Sequence, residues 1–416
     1  MTIGNRTAER GGAEAAGGPL LLDADFRRLW SCGLIVFLVR WLEILVFGVF
    51  AYQQTNSAFV VASLTMLRLL PLALFGVAFG ALAVRVPRRS GLIVMVSTLS
   101  ATASILFVVA AFDQLAVWHL GAASFINGVV WAADNPVRRA LIGDIAGPLR
   151  MGRAMALDVG ASNATRFAGP GIGGLLLAHS GMAAVFGLVA LLYFIALAAA
   201  LRLRDRPIPQ DGTKTSLRAT LAAGFDAARA SPRLAGALWI TVLFNLFGWP
   251  VLSMVPVIGQ DRLGLAADGI GLLASMDGVG ALLGAFALAA LSRPAIYGRL
   301  YVGGVITFFV TLPLFALSTH PLAAAGALLV VGVGQSGFSV MQATIVFIAA
   351  PADRRMQAMG VLTMCIGIGP LGFLMLGWLA ERLGAPSAAV ISAVTGLVTL
   401  AATWRWWRTC WQDRGA

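Results

Sequence analysis

The stretch Trp30–Tyr52, WSCGLIVFLVRWLEILVFGVFAY, decides the fold of this chain. It is apolar for long enough to cross about 30 Å of hydrocarbon as one helix, yet it carries Arg40 and Glu43 near its middle. An ionisable side chain at that depth costs roughly 2.5–3.5 kcal/mol even on lenient insertion scales, so it faces a partner or a cavity. Arg68 and Arg166 sit in the same way inside later apolar runs. The apolar runs set the fold class, and the charges inside them mark where function is to be sought.

Runs of this kind recur along all 416 residues. Twelve membrane spans are expected, at 30–52, 60–82, 91–112, 115–136, 153–178, 182–201, 234–258, 268–291, 300–318, 321–349, 359–380 and 386–403. In hydrocarbon the backbone must satisfy its own hydrogen bonds, so each span is a helix. Strand-like alternation is lacking, which argues against an outer-membrane barrel. The composition agrees: 59% hydrophobic residues, 12% charged, and a mean hydropathy of +0.86.

The formal net charge of +12 could suggest a nucleic-acid partner, but the arginine distribution speaks against one. With the amino terminus inside, Arg27, Arg28, Arg85, Arg88, Arg89, Arg138, Arg139, Arg150 and Arg153 all fall in inside loops. So do Arg202, Arg204, Arg206, Arg293, Arg299, Arg354 and Arg355, while outside loops hold only Arg262 and Arg382. This positive-inside asymmetry places both termini in the cytoplasm. Residues 1–19 are polar and Gly/Ala-rich without a signal-peptide core, so the first span directs insertion. Asp23 is placed to cap the entry helix. Cys32, Cys365 and Cys410 lie within membrane helices or the tail, which disfavours disulfides and metal clusters. Trp404, Trp406, Trp407 and Trp411, interleaved with Arg405 and Arg408, suit an interfacial anchor.

Residues 202–233 form the one long polar stretch between spans, with Leu217, Leu221 and Phe225 spaced by four along one face. That pattern predicts an amphipathic helix in a cytoplasmic linker lying on the membrane surface. It divides the chain into a flexible start at 1–22, six-helix bundles at 23–201 and 234–403, and a tail at 404–416. The halves echo each other. Pro136-Val-Arg-Arg resembles Pro351-Ala-Asp-Arg-Arg, and Gly169-Pro170-x-x-Gly173 resembles Gly369-Pro370-x-Gly372. Internal repeats of this kind are the sequence trace of transporters with a midplane site between the halves.

These residues resemble the major facilitator superfamily, and within it the branch of enterobactin exporters and macrolide efflux proteins. The strings that carry the resemblance are Asp25-Phe-Arg-Arg-Leu-Trp30, Asn135-Pro-Val-Arg-Arg-Ala-Leu-Ile142 and Gly152-Arg-Ala-Met-Ala-Leu157. The run Asn163-x-x-Arg166-x-x-Gly169-Pro170-x-x-Gly173-Gly174 completes the set. The resemblance implies two pseudo-symmetric six-helix bundles, alternating access and export. Two departures weaken transfer of a proton-coupling mechanism. Gly80-Ala-Leu-Ala-Val84-Arg85-Val-Pro87-Arg88-Arg89 lacks the family's acid and second glycine, and Ser124 stands where drug/proton antiporters carry an arginine.

At 1.5 Å of rise per residue, Glu43 and Arg68 each lie about 19 Å from the turn at Thr55–Asn56. Arg166 lies about 21 Å from Ser180, and Asp277 about 20 Å from Arg262–Leu263, with Gln335 at a similar level below His320. Charged and polar groups of both halves are thus expected to converge near midplane. Arg40, Glu43, Arg68, Arg166, Asn163, Asn245, Trp249, Gln335 and Gln342 are the candidate substrate-binding residues. With three arginines against Glu43, the amino-terminal side is expected to be basic and to suit an anionic group, since arginine grips carboxylate oxygens bidentately. A buried ion network locking helices is the alternative for Arg40, Glu43 and Arg68.

Glu43 and Asp277 are the candidate proton-coupling carboxylates, with Asp277 expected to have no cation nearby. Arg85, Arg88, Asp134, Arg138 and Asp158 are expected to form ion pairs of an inner gate. Gly332-Val-Gly334-Gln-Ser-Gly337 matches the dinucleotide fingerprint but lies inside a membrane helix, so close packing is its better reading. No Walker lysine motif, zinc-ligand cluster or nucleophile elbow is present, so neither an enzyme nor a cofactor is implied. The expectation is an all-α inner-membrane secondary transporter, a monomer among membrane lipids. It would export an anionic or amphipathic small molecule in exchange for protons. Import of a siderophore or other organic anion, lipid transport and a non-transporting receptor stay open.

Overall fold

A computed structural model describes residues 20–82, 87–205, 217–351 and 354–412. Among these the secondary structure is helical throughout: α1 Ala24–Thr55, α2 Ala58–Leu82, α3 Arg88–Ala111, then a continuous run Val117–Leu201. Gly147 (φ 67°) and Gly181 (φ 72°) break that run into α4 (117–146), α5 (148–180) and α6 (182–201). Both glycines adopt a positive φ with an extended ψ, a conformation essentially reserved for glycine, so each forms a tight reversal between helices. The second half comprises α7 Leu217–Ala230, α8 Pro232–Asp261, α9 Ala267–Leu291 and α10 Tyr297–Leu317. It continues with α11 Pro321–Ala349, α12 Arg355–Ile366, α13 Gly369–Leu383, α14 Ala385–Ala402 and α15 Trp404–Trp411.

The local signals explain the boundaries. The Asp23 carboxylate accepts from the Asp25 and Phe26 amides at 2.9 and 3.3 Å, capping α1. Asn56 closes α1 in the left-handed region (φ 48°), at the turn expected from sequence. Most long helices are apolar all round, as suits elements with protein on one side and hydrocarbon on the other. Val94, Ile105, Leu191, Phe286 and Leu314 accordingly point outward.

Among the described residues, ten helices are long and apolar enough to cross a membrane, against the twelve expected. One of the ten, Leu149–Leu201, contains the Gly181 break and so joins two expected spans. The expected span 115–136 corresponds to α4, whose His119, Asn127 and Asp134 dilute its hydropathy, and it is not among the ten.

Two helices lose α geometry at mid-length. In α8, a π turn Phe244–Gly248 passes into a 3-10 turn Trp249–Met254, with Pro250 at its start. The span Gln357–Leu383 breaks between α12 and α13 at Gly367, just before Gly369-Pro370. The fifth-helix counterpart Gly169-Pro170 stays helical inside α5. Gly169 and Gly173 lie against α1, where an added Cβ would meet Leu38 O at 2.8 Å and Leu42 Cγ at 3.0 Å. Gly174 lies against α9, 2.4 Å from Ala267 O by the same measure. The motif therefore packs α5 against a helix of each half. Gly332, Gly334 and Gly337 bring α11 equally close to α9 and α10, in keeping with the packing reading of that false fingerprint.

The expected amphipathic linker helix is α7; residues 206–216 and the side chains of Leu217 and Leu221 lie outside the described residues. α7 docks on α12, Gly224 approaching Gln357 O. In the tail, Trp407 and Cys410 are buried, their helix lying against Gly236 of α8, while Trp404, Trp406 and Trp411 remain exposed.

Candidate functional site

A cleft lies where the halves meet. The amino-terminal half contributes Trp41 from α1, Thr65 from α2 and Arg166 from α5. The carboxy-terminal half contributes Trp249 from α8, Asp277 from α9 and Phe373 from α13. The centre of a water molecule can reach about 90 Å³ of it. Its walls are mainly apolar, with aromatic faces on both sides. The Arg166 guanidinium lies 5.1 Å from the Trp41 ring centroid, and Trp249 meets Phe373 edge-on at 5.8 Å.

The polar anchor of the cleft spans both halves. Arg166 Nε donates to Asp277 Oδ2 at 2.9 Å, and Nη2 donates to both Asp277 Oδ2 and Gln335 Oε1. This corrects the expectation that Asp277 has no nearby cation. The depth estimates put Arg166 and Asp277 at one level, but only folding makes α5 and α9 neighbours. The other oxygen, Asp277 Oδ1, is buried without a hydrogen-bond partner among the described residues.

A second cluster lies wholly in the amino-terminal half. Arg68 Nη2 and Asn127 Nδ2 both donate to Glu43 Oε2 at 2.8 Å, and Arg68 Nη1 reaches Arg40 O at 3.4 Å. A third lies nearer the inner loops expected from sequence. Arg138 Nε donates to Asp134 at 3.2 Å, its Nη1 bonds Asp158, and Arg40 Nη2 stands 3.7 Å from Asp134. Arg40 also lies over the Trp131 ring at 4.3 Å. The four arginines Arg40, Arg68, Arg138 and Arg166 thus face the four carboxylates Glu43, Asp134, Asp158 and Asp277. The predominantly basic cluster read from sequence is a set of balanced pairs, because Asp134 and Asp277 reach Arg40 and Arg166 from other helices.

The remaining candidates divide. Asn245 donates to Thr241 O at 2.9 Å and Gln342 to Thr241 Oγ1 at 3.0 Å, so both belong to a network inside the carboxy-terminal half and neither lines the cleft. Asn163 is half-buried and also off the cleft wall. Arg88 pairs with Asp144, not with Asp134 or Asp158, and Arg85 lies outside the described residues. The Asp134–Arg138–Asp158 cluster joins α4 and α5 within one half, so it does not itself bridge the halves. Sequence reading missed Asn127, Asp144, Trp41 and Phe373. Asn127 was findable as an amide within an apolar run; the aromatics look like ordinary lipid-facing residues until the halves are assembled.

The halves also meet at the end carrying the Asn56 turn. Tyr52 Oη donates to Asp261, and Glu381 Oε2 accepts from Ser57 Oγ at 2.9 Å and from the Phe59 amide at 3.2 Å.

Two halves of apolar helices around a cleft with an ion-pair anchor define a multi-pass membrane transporter. The family model of the Major Facilitator Superfamily matches residues 29–371 and again 238–410, and the chain belongs to that family. It is 21% identical to the staphyloferrin A transporter of Staphylococcus aureus (strain NCTC 8325 / PS 47) over 293 residues, 70% of this chain and 71% of that protein. It is 34% identical to the enterobactin exporter EntS of Shigella flexneri over 148 residues, 36% of this chain and 34% of that one. Among solved structures, a mutant of the nucleoside transporter NupG superposes with a TM-score of 0.74 at 13% identity, covering 92% of this chain and 99% of its own, a likeness of fold.

Proposed function

We propose that this chain is a secondary active exporter of a bacterial inner membrane, carrying an amphipathic small molecule of siderophore-like or lipophilic-drug chemistry in exchange for protons. The observation that carries this reading is the cleft itself: aromatic walls from both halves converge on the Arg166–Asp277–Gln335 anchor. Apolar pockets with a few convergent polar groups are the usual form of small-molecule sites. Because the arginines are balanced by carboxylates, the cleft suits a ligand with polar arms on an apolar body better than a bare anion. The similarity to a staphyloferrin A transporter and to an enterobactin exporter supports that chemistry.

In this reading the chain crosses the membrane twelve times, α4 and the two arms joined at Gly181 completing the count, with both termini cytoplasmic as the arginine asymmetry indicates. Tyr52–Asp261 and the Glu381 contacts then close the outer end, and the cleft is exposed to the two sides in turn by rocking of the halves. Asp277 is the proton carrier: Oδ1 is a buried acceptor without a donor among the described residues, and a carboxylate that takes a proton there releases Arg166 to the ligand.

The test is flux in proteoliposomes under an imposed proton gradient, against a panel of siderophores and lipophilic cations. Gradient-driven flux is expected for an amphipathic oxygen-rich compound, lost in Arg166→Ala. Asp277→Asn is expected to retain exchange while losing the response to the gradient. Wild-type gradient-driven rates in Asp277→Asn would remove proton coupling through this residue, and flux unaffected by Arg166→Ala would remove the site.

A further inference from the structure

The cleft has a side pocket within the amino-terminal half. Ile44, Gly48, Val61 and Thr65 line both spaces, so the two lie side by side, and Arg68 and Ser124 line only the smaller one. Its free space is about 10 Å³, which holds one water molecule or one ligand heteroatom and its hydrogen, not a ring or a chain.

The chemistry of its end is specific. Ser124 is buried and Thr65 half-buried, and among the described residues neither hydroxyl has a hydrogen-bond partner. That differs from many hydroxyls in these helices: Ser100, Thr241, Ser275 and Thr311 all donate to the carbonyl four residues back, at 2.7–2.9 Å. A buried hydroxyl that forgoes this bond loses free energy unless something else satisfies it. Arg68 is likewise incompletely used. Of the five N–H groups of a guanidinium, one engages Glu43 at 2.8 Å and one reaches Arg40 O at 3.4 Å. Because Glu43 balances Arg68, the pocket has donors without net charge, which selects a hydroxyl or carbonyl oxygen over a full anion.

We propose that Thr65, Arg68 and Ser124 form a subsite for a single hydroxyl or carbonyl oxygen on an arm of the ligand whose body fills the main cleft. This rests on the cleft being the transport site. It makes Thr65 and Ser124 specificity-determining residues: a site built to hydrogen-bond a ligand hydroxyl rejects the analogue lacking it, because its own groups are then left unpaired. The apolar walls, Ile44, Phe47 and Leu64, exclude other polar partners for that oxygen.

The test uses the full chain in lipid nanodiscs and two probes, a hydroxynaphthoate and the methylnaphthoate of the same substitution pattern, with binding measured by calorimetry. Wild type is expected to prefer the hydroxyl probe by about tenfold or more. Ser124→Val and Thr65→Val are expected to erase the preference while still binding the methyl probe, which also shows that they fold. Arg166→Ala is expected to weaken both probes alike, since it acts on the cleft body. Equal binding of the two probes by wild type, binding of neither, or a preference that survives Ser124→Val would overturn the subsite and leave the pocket to a water molecule. Failure of the transport reading has a different signature, absence of flux for every compound in wild-type proteoliposomes.

Discussion

The amino-terminal and carboxy-terminal halves of the chain are held together by different contacts. In the amino-terminal half, Glu43, Arg68, Asn127, Arg40, Asp134, Arg138 and Asp158 tie α1, α2, α4 and α5 through buried ion pairs and hydrogen bonds. In the carboxy-terminal half, close backbone approach at Gly280, Gly284, Gly304, Gly332 and Gly334 joins α9, α10 and α11. There Phe244 stacks on Phe338 at 3.8 Å, and the polar groups Thr241, Asn245, Tyr301 and Gln342 are neutral. The wired half is held by charged contacts that other partners can replace one at a time, whereas the hydrogen bonds of the packed half join neutral groups. Gln335 and Asp277 are where the packed half offers polar groups to Arg166 of the wired half. In the function proposed above, ligand and proton act on the wired half and its link to Asp277, with the packed half as the wall.

The sharpest way to break this contrast is to orphan one charge of the wired half. Arg68→Met leaves Glu43 buried with Asn127 alone, and breaking a buried pair in this way costs about 3–5 kcal/mol. Thermal unfolding in detergent should show that loss, and the double variant Arg68→Met/Glu43→Gln should recover most of it. No recovery in the double variant would mean that packing, not the ion pair, holds the region.

The next largest effect belongs to the packed half. A Cβ at Gly332 would sit 2.0 Å from Asp277 O, so Gly332→Ala must push α9 and α11 apart. Overpacking of this kind costs about 1–3 kcal/mol, read as a lowered unfolding temperature. The same change at Gly160, where a Cβ meets nothing within 4 Å, is expected to be neutral or to stabilise by up to about 1 kcal/mol. Equal behaviour of the two variants would mean that close backbone approach at Gly332 does not hold α9 against α11.

The smallest effect should come from the contacts that join the halves at the Asn56 end. Tyr52→Phe removes the hydroxyl bonded to Asp261 while the Glu381 contacts remain. A partly exposed charge-assisted contact contributes about 0–1 kcal/mol, too little to affect folding but enough to shift a balanced conformational equilibrium up to about fivefold. Maleimide labelling of a cysteine placed at Thr65, from the outer side of oriented vesicles, should rise by a factor of that order. Unchanged labelling would remove Tyr52 from the outer closure.

Much of this was legible before folding. Apolar runs of spanning length dictate helices because the backbone has no other partner in hydrocarbon, and depth along each helix follows from a fixed rise. Hence the Asp23 cap, the Asn56 turn, a helix over Leu217–Ala230 and the common level of Arg166 and Asp277 agree with the sequence reading. The pairings were not legible. Nothing in the order of residues says that α5 lies against α9 or that Asp144 takes Arg88, so lone acids and a basic cluster were expected where the fold gives balanced pairs. Asn245 and Gln342 illustrate the same limit: rotation about the helix axis turns them into the packed half, and composition does not report that angle.

The sequence by itself determined that the chain is a bundle of long apolar helices with ionisable groups held within them. Tertiary structure alone decided which charges cancel, where the aromatic walls face each other, and that Thr65 and Ser124 stand beside Arg68 with hydroxyls unpartnered among the described residues. The reason is the range of the interactions. Helix formation and burial are set by neighbours a few residues apart, whereas an ion pair needs two helices brought within about 3–4 Å by the packing of the whole bundle.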